Sequence, residues 1–127
     1  MNKLLSTERI GRVVPLVVNL LELEHPIDDT IYIGESNRNH MADTHPEDYK
    51  KYGGFIADIL QAPDYIGQNP KDNSIEYVKE FVLDGEFVKV AVRVSGAGRF
   101  YARSLYVLNK RRTQNFIANG TLKKVST

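Results

Sequence analysis

The chain has 127 residues, 42% of them hydrophobic, enough for one ordinary core and too few for two sizeable domains. It contains no cysteine, which excludes disulfides, thiolate metal ligands and a thiol nucleophile, and suits a reducing cytoplasm. The net charge of +1 conceals a polarised chain: all sixteen acidic residues lie at or before Glu86, whereas Lys89, Arg93, Arg99, Arg103, Lys110, Arg111, Arg112, Lys123 and Lys124 follow it with no carboxylate among them. A basic final third fits a polyanionic partner such as nucleic acid, although a ligand-free basic surface has the same composition.

Residues 7–23 place Ile10, Val13, Val14, Val17, Leu20 and Leu21 at helical spacing, with Thr7 as a candidate cap and Glu8 just behind it. Pro15 lies too deep for a first-turn proline of that helix, so the helix starts near Val14 or is kinked there. The apolar stretch from Val13 to Leu21 is broken by Pro15 and Asn19 and has no small-residue cleavage site. It therefore reads as neither signal peptide nor membrane span, and a soluble, cytoplasmic protein is expected. After a turn at His25-Pro26-Ile27-Asp28-Asp29, Thr30 to Ile33 forms a short β-branched and aromatic strand ended by Gly34. Ser36 or Asn37 caps a short helix to about Ala42, and Thr44-His45-Pro46-Glu47-Asp48 restarts it with a proline and two acids suited to a first turn. Tyr49, Tyr52, Ile56, Ile59 and Leu60 form its apolar face up to Pro63, and Gly53-Gly54 is its weak point, costing about 1 kcal/mol per glycine against alanine.

From Asp64 the hydrophobic period falls from about 3.6 to about 2, and the separators become turn chemistry. Strands are expected at 64–68, 75–83, 86–95 and 99–108, then a helix at 110–118 ending at Asn119-Gly120. The fold class is α+β: N-terminal helices, with a helical region over 1–28, packed on a C-terminal four-stranded antiparallel meander, in one domain whose core spans 29–122. If Asp84-Gly85 is a two-residue hairpin turn, Leu83 pairs with Glu86, Glu80 with Lys89 and Glu76 with Arg93. Val88, Val90, Val92 and Val94 then share the core face with Tyr77, Phe81 and Leu83, while Ser104 and Tyr106 join the charged face. Lys79 and Arg103 fall on the valine side in this register, and a bulge at Gly96 to Gly98 would exchange Arg103 with Ser104.

Metal-free RNA cleavage needs a base for the 2′-hydroxyl, an acid for the 5′-oxygen, and cations around the pentavalent phosphorus. His40 and His45 are the only close histidine pair, and either could equally be a surface or capping residue. His40, Asp43, His45 and Asp48 admit a zinc alternative, but lack the i, i+4 pair of a helical two-histidine site and any cysteine. Glu76 and Glu80 could do acid–base work, yet each has a cross-strand cation that explains it as sheet pairing. Gly96-Ala97-Gly98-Arg99 lies between strands and opens no helix, so no nucleotide cofactor is expected, and Ser104 lacks the glycines of a nucleophile elbow. Tyr49, Tyr52 and Tyr65 read as core and rim more readily than as base-stacking platforms.

Several strings in order carry a family likeness: His40-Met41-Ala42-Asp43-Thr44-His45-Pro46 entering a helix, Ala62-Pro63-Asp64-Tyr65-Ile66, Ile75-Glu76-Tyr77-Val78-Lys79-Glu80-Phe81, Val90-Ala91-Val92-Arg93, and Arg103-Ser104-Leu105-Tyr106-Val107-Leu108. From about Thr30 to Leu122 the chain resembles the phage-associated nucleases grouped with barnase, EndoU, colicin and RelE ribonucleases. The resemblance implies His40 or His45 as acid or base, Lys79 and Arg93 as phosphate ligands, and Ser104 with Tyr106 as positioning groups. Lys89, Arg103, Lys110, Arg111 and Arg112 would add RNA contacts. It further implies an endoribonuclease that needs no metal or cofactor, a toxin-like or mobile-element role, and RNA, tRNA included, as partner beside an immunity or host protein. The register above conflicts with it at one point, since it puts Lys79 opposite Ser104's face. A nuclease fold that only binds RNA or inhibits a host factor is the alternative.

Overall fold

The computed structural model describes residues 7–125. In chain order its elements are β1 (Glu8–Arg12), α1 (Pro15–Leu20), β2 (Thr30–Ile33), α2 (Glu35–Thr44), α3 (Pro46–Tyr52), a single 3₁₀ turn (Gly53–Phe55), α4 (Ile56–Gln61), β3 (Tyr65–Gln68), β4 (Ile75–Phe81), β5 (Glu86–Val94), β6 (Phe100–Val107), α5 (Lys110–Ala118) and β7 (Lys123–Lys124). The strands form one sheet in the order β1-β2-β6-β5-β4-β3-β7. β2 runs parallel to β6 and every other pairing is antiparallel.

The sheet is thus seven-stranded and mixed, where four antiparallel strands were expected. The first missing strand lies inside the expected helix over 7–23. Glu8-Arg9-Ile10-Gly11-Arg12 has one large apolar side chain and no period of two, so nothing local marks it as a strand, and pairing with β2 makes it one. The helix begins only at Pro15, which occupies its first turn, where a missing N–H costs nothing. α2 starts at Glu35, ahead of the expected caps, and the Asn37 side chain reaches back to accept from the Gly34 N–H at 2.8 Å. Gly53-Gly54 is where the next helix tightens into the 3₁₀ turn between α3 and α4, as the low helix propensity of two glycines favours.

One face of the sheet carries the core. Ile31, Ile33, Ile66, Ile75, Tyr77, Val88, Val90, Val92, Ala102 and Leu105 pack there against Val17, Val18, Met41, Tyr52, Ile56, Ile59 and Leu60 of the first four helices. The Tyr77 hydroxyl is buried in this layer without a hydrogen-bond partner, and burial raises its pKa. The other face is only partly covered: α5 and the segment before β7 bury Val78, Phe87 and Leu122, with Tyr65, Leu108 and Ile117 around them.

The β4–β5 hairpin is wider than a two-residue turn. Phe81 pairs with Glu86, so residues 82–85 form the loop, and Gly85 takes a positive φ of 66° at its end. Glu76 therefore lies opposite Ala91, and Lys89 opposite Val78. α3 helps set this register from outside the sheet, because the Tyr52 hydroxyl donates to Glu86 and lies 3.2 Å from Asp84, while Lys51 reaches Glu86 at 2.8 Å. Since the slip is two residues, every side chain keeps its expected face. Between β5 and β6 the register shifts once, Ala91 pairing with Ser104 and Val92 with Ala102, so Arg103 is the surplus residue of a β-bulge. The irregularity sits within β6 rather than at Gly96 to Gly98, and it leaves Ser104 and Tyr106 on the face of Lys89.

β2 is short, and its last residue in register with β6 is Tyr32, opposite Tyr101. Beyond that point the edge of β6 faces α2 and α3 instead of a strand. The Asp48 carboxylate accepts the Val107 N–H at 3.0 Å, replacing the missing ladder bond and tying the first turn of α3 to the end of β6.

Candidate active site

That tie positions His45. It is the residue between α2 and α3, and the proline after it disfavours helical backbone, so the chain swings out at φ −139°. Its N–H donates to the Met41 carbonyl at 3.0 Å and its own carbonyl accepts from Tyr49 at 2.9 Å, while the imidazole takes no capping role. The ring instead stacks on Tyr106, with centroids 4.7 Å apart and planes 24° from parallel. The Lys89 ammonium lies 4.7 Å from the centroid of the same tyrosine, across the strand pair, and 3.1 Å from the Glu76 carboxylate.

Lys89 and Glu76 are both largely shielded, with side chains 12% and 16% exposed. Burial alone would lower the Lys89 pKa, but the Tyr106 hydroxyl and the Glu76 charge outweigh it and the net shift is upward. Lys89 therefore stays a cation at neutral pH, suited to holding an anion and not to taking a proton. A cleft of about 500 Å³ opens beside this cluster, lined among others by Gln68, Asn69, Glu76, Lys89, Tyr106 and Arg112. Arg112 comes from the first turn of α5, where Lys110, Arg111 and Arg112 stand at the positive end of the helix dipole, with no acid to balance them. An anion bound in the cleft would relieve that unfavourable placement.

The structure brings Tyr106, Lys89 and Arg112 into the lining of the cleft, stacks His45 on Tyr106 at its border, outside that lining, and puts Ser104 on the same sheet face one pairing away, opposite Ala91. It leaves the remaining expected residues outside the cleft. His40 is exposed on α2, and among the described residues no hydrogen bond or ring contact joins it to the cluster. Lys79 lies on the core side and donates to the Ala62 carbonyl at 2.9 Å, which resolves the conflict between register and resemblance against Lys79. Arg93 faces the same way as Lys89 but pairs with Tyr101 near the far end of the strand. Arg103 is exposed at the bulge, and Lys110 and Arg111 are exposed beside the cleft without lining it.

Three residues in or beside the cleft have contacts that a reading of the sequence does not assign them. Glu76 looks like a cross-strand partner of a cation, which it is, yet that cation lies in the cleft. Asp48 reads as an ordinary first-turn acid, and nothing in the sequence says that its carboxylate holds a strand. Asn69 belongs to a turn, and its side-chain amide reaches the Glu76 carboxylate at 3.5 Å. The zinc alternative finds no support in placement, since among the described residues no three His, Cys, Asp or Glu side chains converge as a metal site would need. Among the same residues no helix is long and apolar enough to cross a membrane.

Neither a curated protein nor a solved structure matches the chain. A family model does: phage-Barnase-EndoU-ColicinE5/D-RelE like nuclease3 aligns with residues 9–115, which take in every element from β2 to β6 and the first turns of α5. The chain belongs to this family of phage-associated, nuclease-like proteins.

Proposed function

We propose that the chain is an endoribonuclease acting in the cleft, with the 2′-hydroxyl of RNA as its nucleophile. The observation that carries this reading is the stacking of His45, from the helical half, on Tyr106, the cleft tyrosine whose ring the Lys89 ammonium also approaches. His45 and Glu76 are the two proton-transfer groups: one takes the 2′-hydroxyl proton and the other protonates the departing 5′-oxygen. The 2′-oxygen forms a bond to phosphorus, the phosphorus–5′-oxygen bond breaks, and the products are a 2′,3′-cyclic phosphate and a free 5′-hydroxyl. Lys89 and Arg112 neutralise the charge gathering on the phosphoryl oxygens, and Ser104 and Tyr106 position the phosphate. The cations come from the chain itself, so the reaction proceeds without a metal. A toxin-like role in a phage or mobile element is the biological setting that family membership favours.

Incubation of labelled RNA with the protein in excess EDTA tests the proposal. Cleavage is expected, with cyclic-phosphate ends, and His45→Ala lowers its rate by about 10²–10⁴-fold while the circular dichroism melt stays unchanged. His40→Ala retains the rate. Undiminished cleavage in His45→Ala overturns the assignment, and a salt-sensitive gel shift with no product at all favours a binding protein of the same fold.

A further inference from the structure

The open face of the sheet does not end at the cleft. Along β6, Tyr101, Ser104 and Tyr106 all point to this face, because the bulge at Arg103 keeps them in phase. Tyr32 of β2 stands beside Tyr101, their ring centroids 5.9 Å apart and their planes inclined at 41°. Both neighbours of Tyr32 in its strand, Ile31 and Ile33, are fully buried in the core, so Tyr32 faces outward. The Arg99 guanidinium lies 5.0 Å from the Tyr32 ring centroid, and Arg93 is the cross-strand partner of Tyr101. The Tyr32 hydroxyl is fixed at 3.3 Å from Asp28.

Two half-buried tyrosines bordered by two exposed arginines present aromatic rings and cations side by side at the surface. They differ from the aromatic pairs of the core side, such as Tyr52 with Phe81, which close over apolar neighbours. Charge agrees with the rings. Lys71, Lys89, Arg93, Arg99 and Arg112 outnumber Asp28, Asp72, Glu76 and Glu80 along the same face. Tyr101 and Tyr106 stand opposite Arg93 and Lys89, four residues apart on β5, which at about 3.3 Å per residue puts them roughly 13 Å apart along the strand. A short single strand spans that distance, whereas stacked bases inside a duplex cannot reach a flat ring.

The geometry points to a second subsite, resting on the nuclease reading of the cleft: Tyr32 and Tyr101 form a stacking platform for bases of the single-stranded RNA whose scissile phosphate enters beside Lys89. Arg93 and Arg99 hold the phosphates that flank those bases. The substrate class is thereby narrowed to unpaired RNA extending several nucleotides to one side of the cut.

The chain has no tryptophan, so Tyr101→Trp installs a single fluorescent reporter that still offers an aromatic face. The probe is a 2′-O-methyl RNA strand of ~10 nucleotides, which the proposed chemistry cannot cut, with its duplex as control. Saturable quenching by the single strand, absent with the duplex, is expected, and Tyr32→Leu/Tyr101→Leu binds that strand about tenfold more weakly at fixed salt. No quenching, equal quenching by the duplex, or wild-type affinity in a folded double variant overturns the platform. If the double variant does not fold, the tryptophan signal decides alone. Quenching by a protein that never cleaves RNA upholds the platform and defeats the catalytic proposal; cleavage without quenching does the reverse.

Discussion

The two faces of the sheet are built from the same strands and obey different rules. On the helix side, Val88, Val90, Val92 and Leu105 are fully buried, and the charges of that face, Lys79 and Glu86, stay at its margin. On the other side, the residues between them in sequence are Lys89, Ala91, Ser104 and Tyr106, none fully buried, and one end of this surface closes into a cleft while the other stays open. The first face holds the molecule together through area removed from water. The second carries its charges half-shielded, where an ion pair such as Lys89–Glu76 adds little stability but fixes a cation in place. A period of two in the sequence therefore separates the apolar face that folds the chain from the charged face that lines the cleft.

Neighbouring residues of β6 give the sharpest test of that division. Leu105→Ala is expected to cost about 2–5 kcal/mol in a denaturant titration, whereas Ser104→Ala, the residue before it, stays within about 0.5 kcal/mol and lowers RNA cleavage. Comparable destabilisation by both would break the contrast. Asp48 bridges the two sides, since it sits on a core-side helix and organises the cleft. Asp48→Ala should cost about 1–3 kcal/mol through the orphaned Val107 N–H, and reduce kcat more than it raises KM because His45 loses its anchor. Asp48→Asn, which keeps an acceptor, should recover most of both; a pure loss of stability with kcat intact would make Asp48 merely structural. The smallest effect has the opposite sign. Tyr77→Phe removes a hydroxyl that the core leaves without a partner, and is expected to stabilise by about 1 kcal/mol without touching cleavage.

The parts of this architecture legible in the sequence are those where pattern is local. The alternation over β4 and β5 assigns faces correctly even though the hairpin slips, because a slip of two preserves parity. The closing helix over 110–118 is readable from its boundaries, with Asn109 accepting the Arg112 N–H as its cap. What escapes is long-range. β1 and β7 are strands only because a neighbour pairs with them, and Lys123–Lys124 carries no strand signal at all. The site shares this character: His45 and His40 look equivalent in sequence, and the difference arises from β2 ending early, which leaves β6 an edge for α3 to cover. Lys79 fails for a simpler reason, as its parity put it on the core side from the outset.

The surplus residue in β6 gives that strand slack in length. Because Arg103 opposes nothing in β5, a chain one residue shorter there would keep Tyr101, Ser104 and Tyr106 outward and Ala102 and Leu105 inward. The uninterrupted part of β5 has no such allowance: losing one residue there would turn valines to water and lysine to the interior. Insertions and deletions are thus tolerated unequally by two adjacent strands, and the kink at Arg103 is where the molecule can change its chain length without exchanging its inside for its outside.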